Sequence, residues 1–235
     1  MRPRSRIGRC GRSRWNWRSG WRHSACNAAL ETGITSPLDE AILKARTPHL
    51  EHVSKLAEIP FDFVRKRVTV VVQTPEGIRL ITKGAFHHVL EVCTRFADGT
   101  ALTRPLSDRL EERYQEWSRQ GIRVLAIAAR PIDERAAFGR HDERDLAFMG
   151  FLTFFDRPKA GVSEALRDLA EAGVSVKIIT GDSGLVAQHI AGLVGMQADR
   201  LLTGGELDDL NDEALWHAAE ATDIFAEVEI GRAHV

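Results

Sequence analysis

The chain has 235 residues, 43% hydrophobic and 28% charged, with a formal net charge of −1. That balance belongs to a globular protein with room for one large domain or two small ones. A charge near zero gives no global reason to expect nucleic acid or a membrane surface as partner, and no apolar run approaches the ~20 residues of a membrane-crossing helix.

Residues 1–22 stand apart, with eight arginines, three tryptophans (Trp15, Trp17, Trp21) and no acidic residue. Such a stretch suits a basic arm, a targeting peptide or a disordered leader, and it is read here as the leader, outside the fold. Ala25 to Leu30 is expected to be helical until Gly33 breaks it. Ser36 then caps a short helix through Leu43. A linker with Pro48 leads to Ile59-Pro60-Phe61-Asp62-Phe63-Val64-Arg65-Lys66-Arg67. Val68 to Gln73 is the clearest strand of the chain. Thr74-Pro75-Glu76-Gly77 turns it back into a second strand, Ile78 to Thr82, so the pair is expected to form a hairpin. After Lys83-Gly84-Ala85 a helix is expected, with Val89, Leu90 and Val92 to Cys93 on its apolar side. Cys10, Cys26 and Cys93 are too few and too scattered for a disulfide framework or a zinc site, and Cys93 reads as a small apolar filler.

Leu106 to Gln120 is a charged helix closed by Gly121. Ile122 to Ala128 is a third strand, and Arg130 to Asp145 is a charge-dense loop or short helix. Leu146 to Phe155 is apolar with almost no alternation, as in a sheet covered on both faces. The helix Val162 to Ala172 stops at Gly173. Val174 to Ile179 reads as a buried strand that stops on Thr180-Gly181-Asp182. A helix follows, with Leu185, Val186, His189, Ile190, Leu193 and Val194 at threes and fours. Strand, tight turn and helix place free N–H groups where a phosphate can sit, facing the Thr180 hydroxyl and the Gly181 amide; an ordinary βα turn would look the same. Beyond lie Leu201-Leu202, the helix Asp212 to Ala221 and the strand Ile224 to Val228. This succession predicts parallel crossovers. The fold class expected is α/β, a mixed α+β part over 23–145 joined to a parallel α/β part over 146–229.

Several of these stretches, in this order, resemble the cytoplasmic part of P-type ATPases, and most of all the magnesium-transporting subgroup. Thr180-Gly181-Asp182 opening into Ser183-Gly184-Leu185-Val186-Ala187 is similar to a TGDSELVA-like motif. Phe154-Phe155-Asp156-Arg157-Pro158-Lys159 resembles LDPPK, although Arg157 replaces a proline. Lys83-Gly84-Ala85 resembles the KGA motif, and Ile59 to Val72 resembles IPFDFxRRRMSVVV. Thr32-Gly33 with Pro37 to Leu43 resembles a TGLKNPLDEAIL-like stretch. Together the likeness covers roughly 23–229.

The resemblance implies a nucleotide-binding domain over 23–145 and part of a haloacid-dehalogenase-like phosphorylation domain over 146–229. It implies ATP, with Mg2+ held by ligands outside this chain. It assigns base stacking to Phe61, an acidic contact to the adenine amino group to Glu40, phosphate approach to Lys66 and Lys83, and close backbone approach to Gly84. Arg123 would lean over the phosphates. Thr180 and Gly181 would hold the transferred phosphoryl group, with Asp182 and Asp156 at the ribose and the domain hinge. Each has a plainer reading: a core ring, a dipole-favoured helix charge, solvated lysines and arginine, turn carboxylates. Ser183 is a cap for the next helix.

No DKTGT segment and no GDGxND segment occur, so the resemblance implies a fragment that binds ATP without hydrolysing it alone. Its partners would be the missing membrane and actuator parts of a pump, with this part on the cytoplasmic side of the inner membrane. Residues 230–235 read as a non-native tail. The rival expectations are a soluble haloacid-dehalogenase-type phosphatase with a large cap and a non-catalytic nucleotide-sensing module.

Overall fold

The computed structural model describes residues 17–32, 36–45, 50–155 and 157–228, with side chains from residue 23 onward. These fall into two compact units. The first is the chain up to Glu112 together with Val124–Phe154; the second is Arg113–Arg123 together with Phe155 onward. The fold is mixed α/β, with a mainly antiparallel sheet in the first unit and a small parallel sheet in the second. No helix among the described residues is long and apolar enough to cross a membrane.

The first unit begins with α1 (Trp17–Leu30) and α2 (Pro37–Ala45). The helix expected over Ala25 to Leu30 is therefore longer, and its first turns lie in the stretch read as leader. Ser36 starts α2 as expected: its Oγ accepts from Leu38 N at 3.1 Å. The sheet contains β1 (Ser54–Asp62), β2 (Arg67–Thr74), β3 (Gly77–Ala85), β4 (Cys93–Phe96), β5 (Ile122–Pro131) and β6 (Leu146–Phe155), in the order β1-β2-β3-β5-β6-β4. The hairpin is present as expected, β2 pairing antiparallel with β3 from Arg67↔Gly84 to Thr74↔Gly77. Val70, Val71, Val72 and Leu80 are fully buried, as suits β-branched residues at the centre of a sheet.

α1 and α2 cover one face of the sheet. Cys26 packs with Val70, Val72, Ile81 and Ala129, and Ala25, Ala28 and Ile42 pack with Ile127, Leu152 and Phe154. A ring cluster lies elsewhere in the unit, where Phe151 sits 5.2 Å from Phe86 and 5.1 Å from Phe148. Met149 and Leu152, three positions apart, both pack under the helices, with Gly150 between them at φ +139°.

Three expectations for this unit are corrected. The segment before Ile59 forms a strand, β1, rather than a linker; it is an edge strand, and Pro60 falls in the register jump between Ile59 and Asp62, where a missing N–H does no harm. The helix after Ala85 is only α3 (Phe86–Leu90), and Cys93 starts β4, which runs parallel to β6. β6, expected to open the second part, belongs to the first unit's sheet. Its apolarity reflects that sheet's two covered faces.

The helix α4 (Arg104–Arg119) ends at Gly121, whose φ is +71°, as expected. In the second unit β7 (Ile178–Ile179), β9 (Ile224–Ala226) and β8 (Leu201–Thr203) are parallel, with β9 central. The remaining helices are α5 (Val162–Glu171), α6 (Gly184–Leu193), α7 (Gly204–Asp208) and α8 (Asp212–Ala221). Ala187 and Ala191 of α6 pack on Ile224 and Ala226. The buried strand expected over Val174 to Ile179 is two residues long, and Ile179 is 62% exposed; β7 is an edge strand, and nothing among the described residues covers that side chain. Ser183 occupies the N-cap position of α6, but its side chain makes no capping bond.

Candidate functional site

In the first unit the expected binding residues gather at one end of β1, β2 and β3. Phe61 is the penultimate residue of β1 and is 49% exposed. Asp62 starts a tight turn: its carbonyl accepts from Lys66 N at 2.9 Å and its Oδ1 accepts from Arg65 N at 2.7 Å. Lys66 completes the turn at φ +45°. Its carbonyl then accepts from Ala85 N at 2.9 Å, joining the turn to the end of β3. A Cβ on Gly84 would stand 2.4 Å from the Lys66 carbonyl oxygen and 2.6 Å from Arg67 Cα. What comes close to Gly84 is thus the neighbouring strand of its own chain. The sequence reading had expected a ligand there.

Lys83 differs most from expectation. It is 5% exposed, and its Nζ donates to Glu31 Oε2 at 2.8 Å and to Asp39 Oδ1. Burying an ammonium is costly unless it is paired, and these two carboxylates supply the pairing. The acid beside Lys83 is Asp39; Glu40 is exposed on α2 and bound to Lys44 at 2.8 Å. The Lys44 hydrogen bond and charge hold the Glu40 carboxyl below its usual range. Helical spacing carried the signal, because Asp39 lies three residues before the buried Ile42, on the inward stripe of α2.

The turn has further support that the sequence reading missed. Glu143, in the charge-dense stretch before β6, is fully buried and accepts from Arg65, Arg67 and Thr69. Outside the turn Phe63 is 59% exposed and meets Phe61 edge to face, with centroids 5.6 Å apart and planes at 88°. Phe61, Lys66 and Gly84 therefore come together. Lys83 lies one residue from Gly84 but points its charge into the protein.

In the second unit the Thr180-Gly181-Asp182 turn is held by backbone bonds. Thr180 N donates to Phe225 O at 2.9 Å, Val228 N to Thr180 O at 3.1 Å and Glu227 N to Asp182 O at 2.9 Å. Asp182 N donates to the Thr180 hydroxyl at 3.1 Å, which leaves that hydroxyl its own proton to give. Gly181 is exposed, and a Cβ there would meet only Val228 O, at 3.6 Å. Unlike Gly84, this glycine is not demanded by close packing within its own chain. Also within this unit, Arg123 Nη2 lies 2.7 Å from Asp182 Oδ1. Asp156 lies outside the described residues. Among those residues no group of three or more His, Cys, Asp or Glu could hold a metal ion.

A family model described as "P-type ATPase, cytoplasmic domain N" matches residues 22–161. The chain is 35% identical over 218 residues to the magnesium-transporting ATPase, P-type 1, of Escherichia coli strain K12, covering 88% of this chain and 24% of that protein. It is 36% identical over 213 residues to the protein of the same description from Salmonella typhimurium strain LT2, covering 86% and 24%. Against calcium-transporting ATPase 1 of Lactococcus lactis it is 30% identical over 184 residues, covering 76% and 21%. The chain spans about a quarter of the length of the curated relatives it matches.

Proposed function

This chain belongs to the P-type ATPase family, and we propose that its first unit is the ATP-binding part of a magnesium-transporting pump. The observation that carries the reading is the half-exposed Phe61 ring beside Lys66, on a turn whose backbone and side chains are fixed from below. An exposed aromatic held rigid is what stacks on a nucleobase; burial would be the usual fate of such a ring. Lys66 approaches the phosphates. Lys83, buried and paired with Glu31 and Asp39, serves the site by fixing the end of β3 beside the Lys66 turn, so Asp39 and Lys83 act as one unit. Glu40 contributes at the rim.

The second unit supplies the phosphoryl-holding turn. The exposed, uncrowded Gly181 backbone and the donating hydroxyl of Thr180 suit an anionic oxygen, with Asp182 oriented by Arg123 until a phosphate competes for that guanidinium. For Asp156, which lies outside the described residues, the role proposed is the one the resemblance implies, at the domain hinge. Mg2+ arrives with the ATP phosphates, and its protein ligands lie elsewhere in the longer protein. In that protein ATP phosphorylates an aspartate, and hydrolysis of the aspartyl-phosphate drives ion transport. This part works on the cytoplasmic side of the inner membrane beside the membrane and actuator parts. No DKTGT aspartate occurs in this sequence, so the chain alone binds ATP and does not turn it over. The phosphatase reading has no observation in its favour.

Calorimetric titration tests this. Binding in the micromolar to millimolar range is expected, weakened about tenfold by Phe61→Ala, in line with a stacking contribution of ~1–3 kcal/mol. No heat at millimolar ATP, or binding indifferent to Phe61→Ala, overturns the reading. Hydrolysis of a generic phosphoester would favour the phosphatase.

A further inference from the structure

Glu143 is the most deeply buried carboxylate near the turn, with none of its side chain accessible. Its Oε1 accepts from Arg65 Nη1 at 2.6 Å and from Thr69 Oγ1 at 2.6 Å. Its Oε2 accepts from Arg65 Nη1 at 2.7 Å and from Arg67 Nε at 3.0 Å. Thr69 gives its one hydroxyl proton to Glu143, so Thr82, 2.8 Å away, donates to Thr69. Thr82 to Thr69 to Glu143 is thus a directed chain that ends on the carboxylate.

Arg65 carries this anchorage outward. Besides Glu143, its Nε donates to Asp62 Oδ2 at 2.5 Å and its Nη2 to Pro60 O at 2.6 Å. One planar guanidinium therefore joins the strand end, the start of the turn and a residue 78 positions later in the chain. A rigid fork with three partners leaves the turn little freedom. The turn holds three apolar side chains outward: Phe61 at 49%, Phe63 at 59% and Val64 at 79% exposed. Left mobile, such side chains would collapse onto one another or onto the sheet. Instead the two rings stand at 88°, an L-shaped corner of two rings that are each about half exposed.

We propose that Glu143 and Arg65 are positioning residues that preform the Phe61–Phe63 corner, and that this corner takes a purine base against the face of Phe61 and the edge of Phe63. The proposal rests on the nucleotide reading above and adds two things to it: the second wall of the base site, and the buried carboxylate that holds both walls. Neither Glu143 nor Arg65 touches the ligand. They act by removing the disorder that binding would otherwise have to remove.

The test uses the whole chain, with amide hydrogen exchange and ATP titration read together. Arg65→Ala is the main variant, because Arg67 and Thr69 still satisfy Glu143 and the unit should fold. Exchange at the Arg65 and Lys66 amides should rise about tenfold or more, with the β2 and β3 amides unchanged. ATP should bind about tenfold more weakly, as with Phe61→Ala. Because Arg65 acts through the corner, Arg65→Ala together with Phe61→Ala should lose clearly less than the hundredfold product of the two single losses, which a merely structural role would not produce. Glu143→Gln, which keeps the shape, should fall between wild type and Arg65→Ala. Phe63→Ala should weaken ATP with no change in exchange at Arg65. Unchanged turn exchange overturns the clamp. Faster exchange with unchanged affinity, or additive losses of about a hundredfold, overturns its link to the base. No ATP binding by the wild-type chain overturns the nucleotide reading and the base site with it, while the exchange result still decides the clamp.

Discussion

Replacing Gly84 by alanine separates two reasons for a glycine in the Lys-Gly-Ala stretch. If the missing Cβ serves a ligand, the variant folds normally and loses ATP alone. The structure gives a different expectation. The added Cβ would lie 2.4 Å from the Lys66 carbonyl oxygen, 2.6 Å from Arg67 Cα and 2.6 Å from Arg67 Cβ, about 1 Å inside ordinary contact at ~3.5 Å. Two of the three atoms are backbone, so β2 and β3 must part. A shift of that size stretches the Ala85 N to Lys66 O bond, now 2.9 Å, beyond useful geometry. Overpacking costs about 1–3 kcal/mol and a lost backbone bond adds about 1 kcal/mol, for a total of roughly 2–4 kcal/mol. With a urea slope of ~1–3 kcal/mol/M, the midpoint followed on β2 and β3 amides should fall by roughly 1–2 M. Because the same shift moves Lys66 and its turn, ATP should weaken too. Gly205→Ala is the control: nothing lies within 4 Å of its Cβ, so the unfolding free energy should stay within about 0.5 kcal/mol of wild type. A Gly84→Ala protein with the wild-type midpoint and lost ATP binding would refute the packing argument.

Other outcomes follow from the same contacts. Lys83→Met leaves Asp39 and Glu31 facing a buried site without their cation and should cost about 3–5 kcal/mol in urea unfolding; Lys83→Met with Asp39→Leu should recover a large part of that, and no recovery would count against the pairing. Burial pushes the Cys93 thiol up to about 12 and the Cys26 thiol up to about 11, so neither should react with a thiol reagent at pH 8 until urea opens the unit, as read by mass spectrometry. Burial raises the carboxyls of Glu58 and Asp62, but hydrogen bonds from Lys55 and Thr32 to the first and from Arg65 to the second outweigh it, and both lie below their usual range. Their stabilisation is complete above the ordinary carboxylate value of about 4 and is lost as pH falls through the lowered folded values. The urea midpoint should therefore drop between pH 5 and pH 2, with a shallower drop in Arg65→Gln; an equal drop would remove Asp62 from the account.

The β2–β3 hairpin was legible because every local signal agreed: β-branched runs, a Thr-Pro-Glu-Gly turn, and burial on both faces. β1 was not legible because it is an edge strand, with Lys55 and Glu58 paired on its surface and Pro60 inside a register jump. Each of those residues counts against a strand when read locally. β6 was recognised as a strand but assigned to the wrong sheet, since apolarity records that two faces are covered and not by what. The pairing of Asp39 with Lys83 went unread, although Asp39 is one residue from Glu40, because one residue on a helix is a turn of about 100° and puts the two acids on different faces. Glu143 carried no local signal, for it sits in a run dense in charge and its partners lie 74 to 78 positions away. The Thr180 turn was legible in kind, a tight turn opening into the helix α6, while the strand before it is mostly absent.

The two ionic clusters of the first unit bear on each other. Val68 pairs with Lys83 and Thr69 with Thr82, and successive residues of a strand face opposite sides. Lys83, Asp39 and Glu31 therefore lie under one face of the β2–β3 end, and Thr82, Thr69, Arg67 and Glu143 under the other. Farther along the same strands the sites are hydrocarbon: Val70, Val72 and Ile81 on the first face, Val71 and Leu80 on the second. Charge is thus buried at the one end of the hairpin that also carries the exposed Phe61 and the Lys66 turn. Buried ion clusters add little net stability, since desolvation offsets their attraction; what they impose is a single geometry. A sheet that needed only to be stable would continue its valines to the end. That this one gives up hydrocarbon on both faces beside its exposed rings argues that the position of those rings is what the two clusters serve.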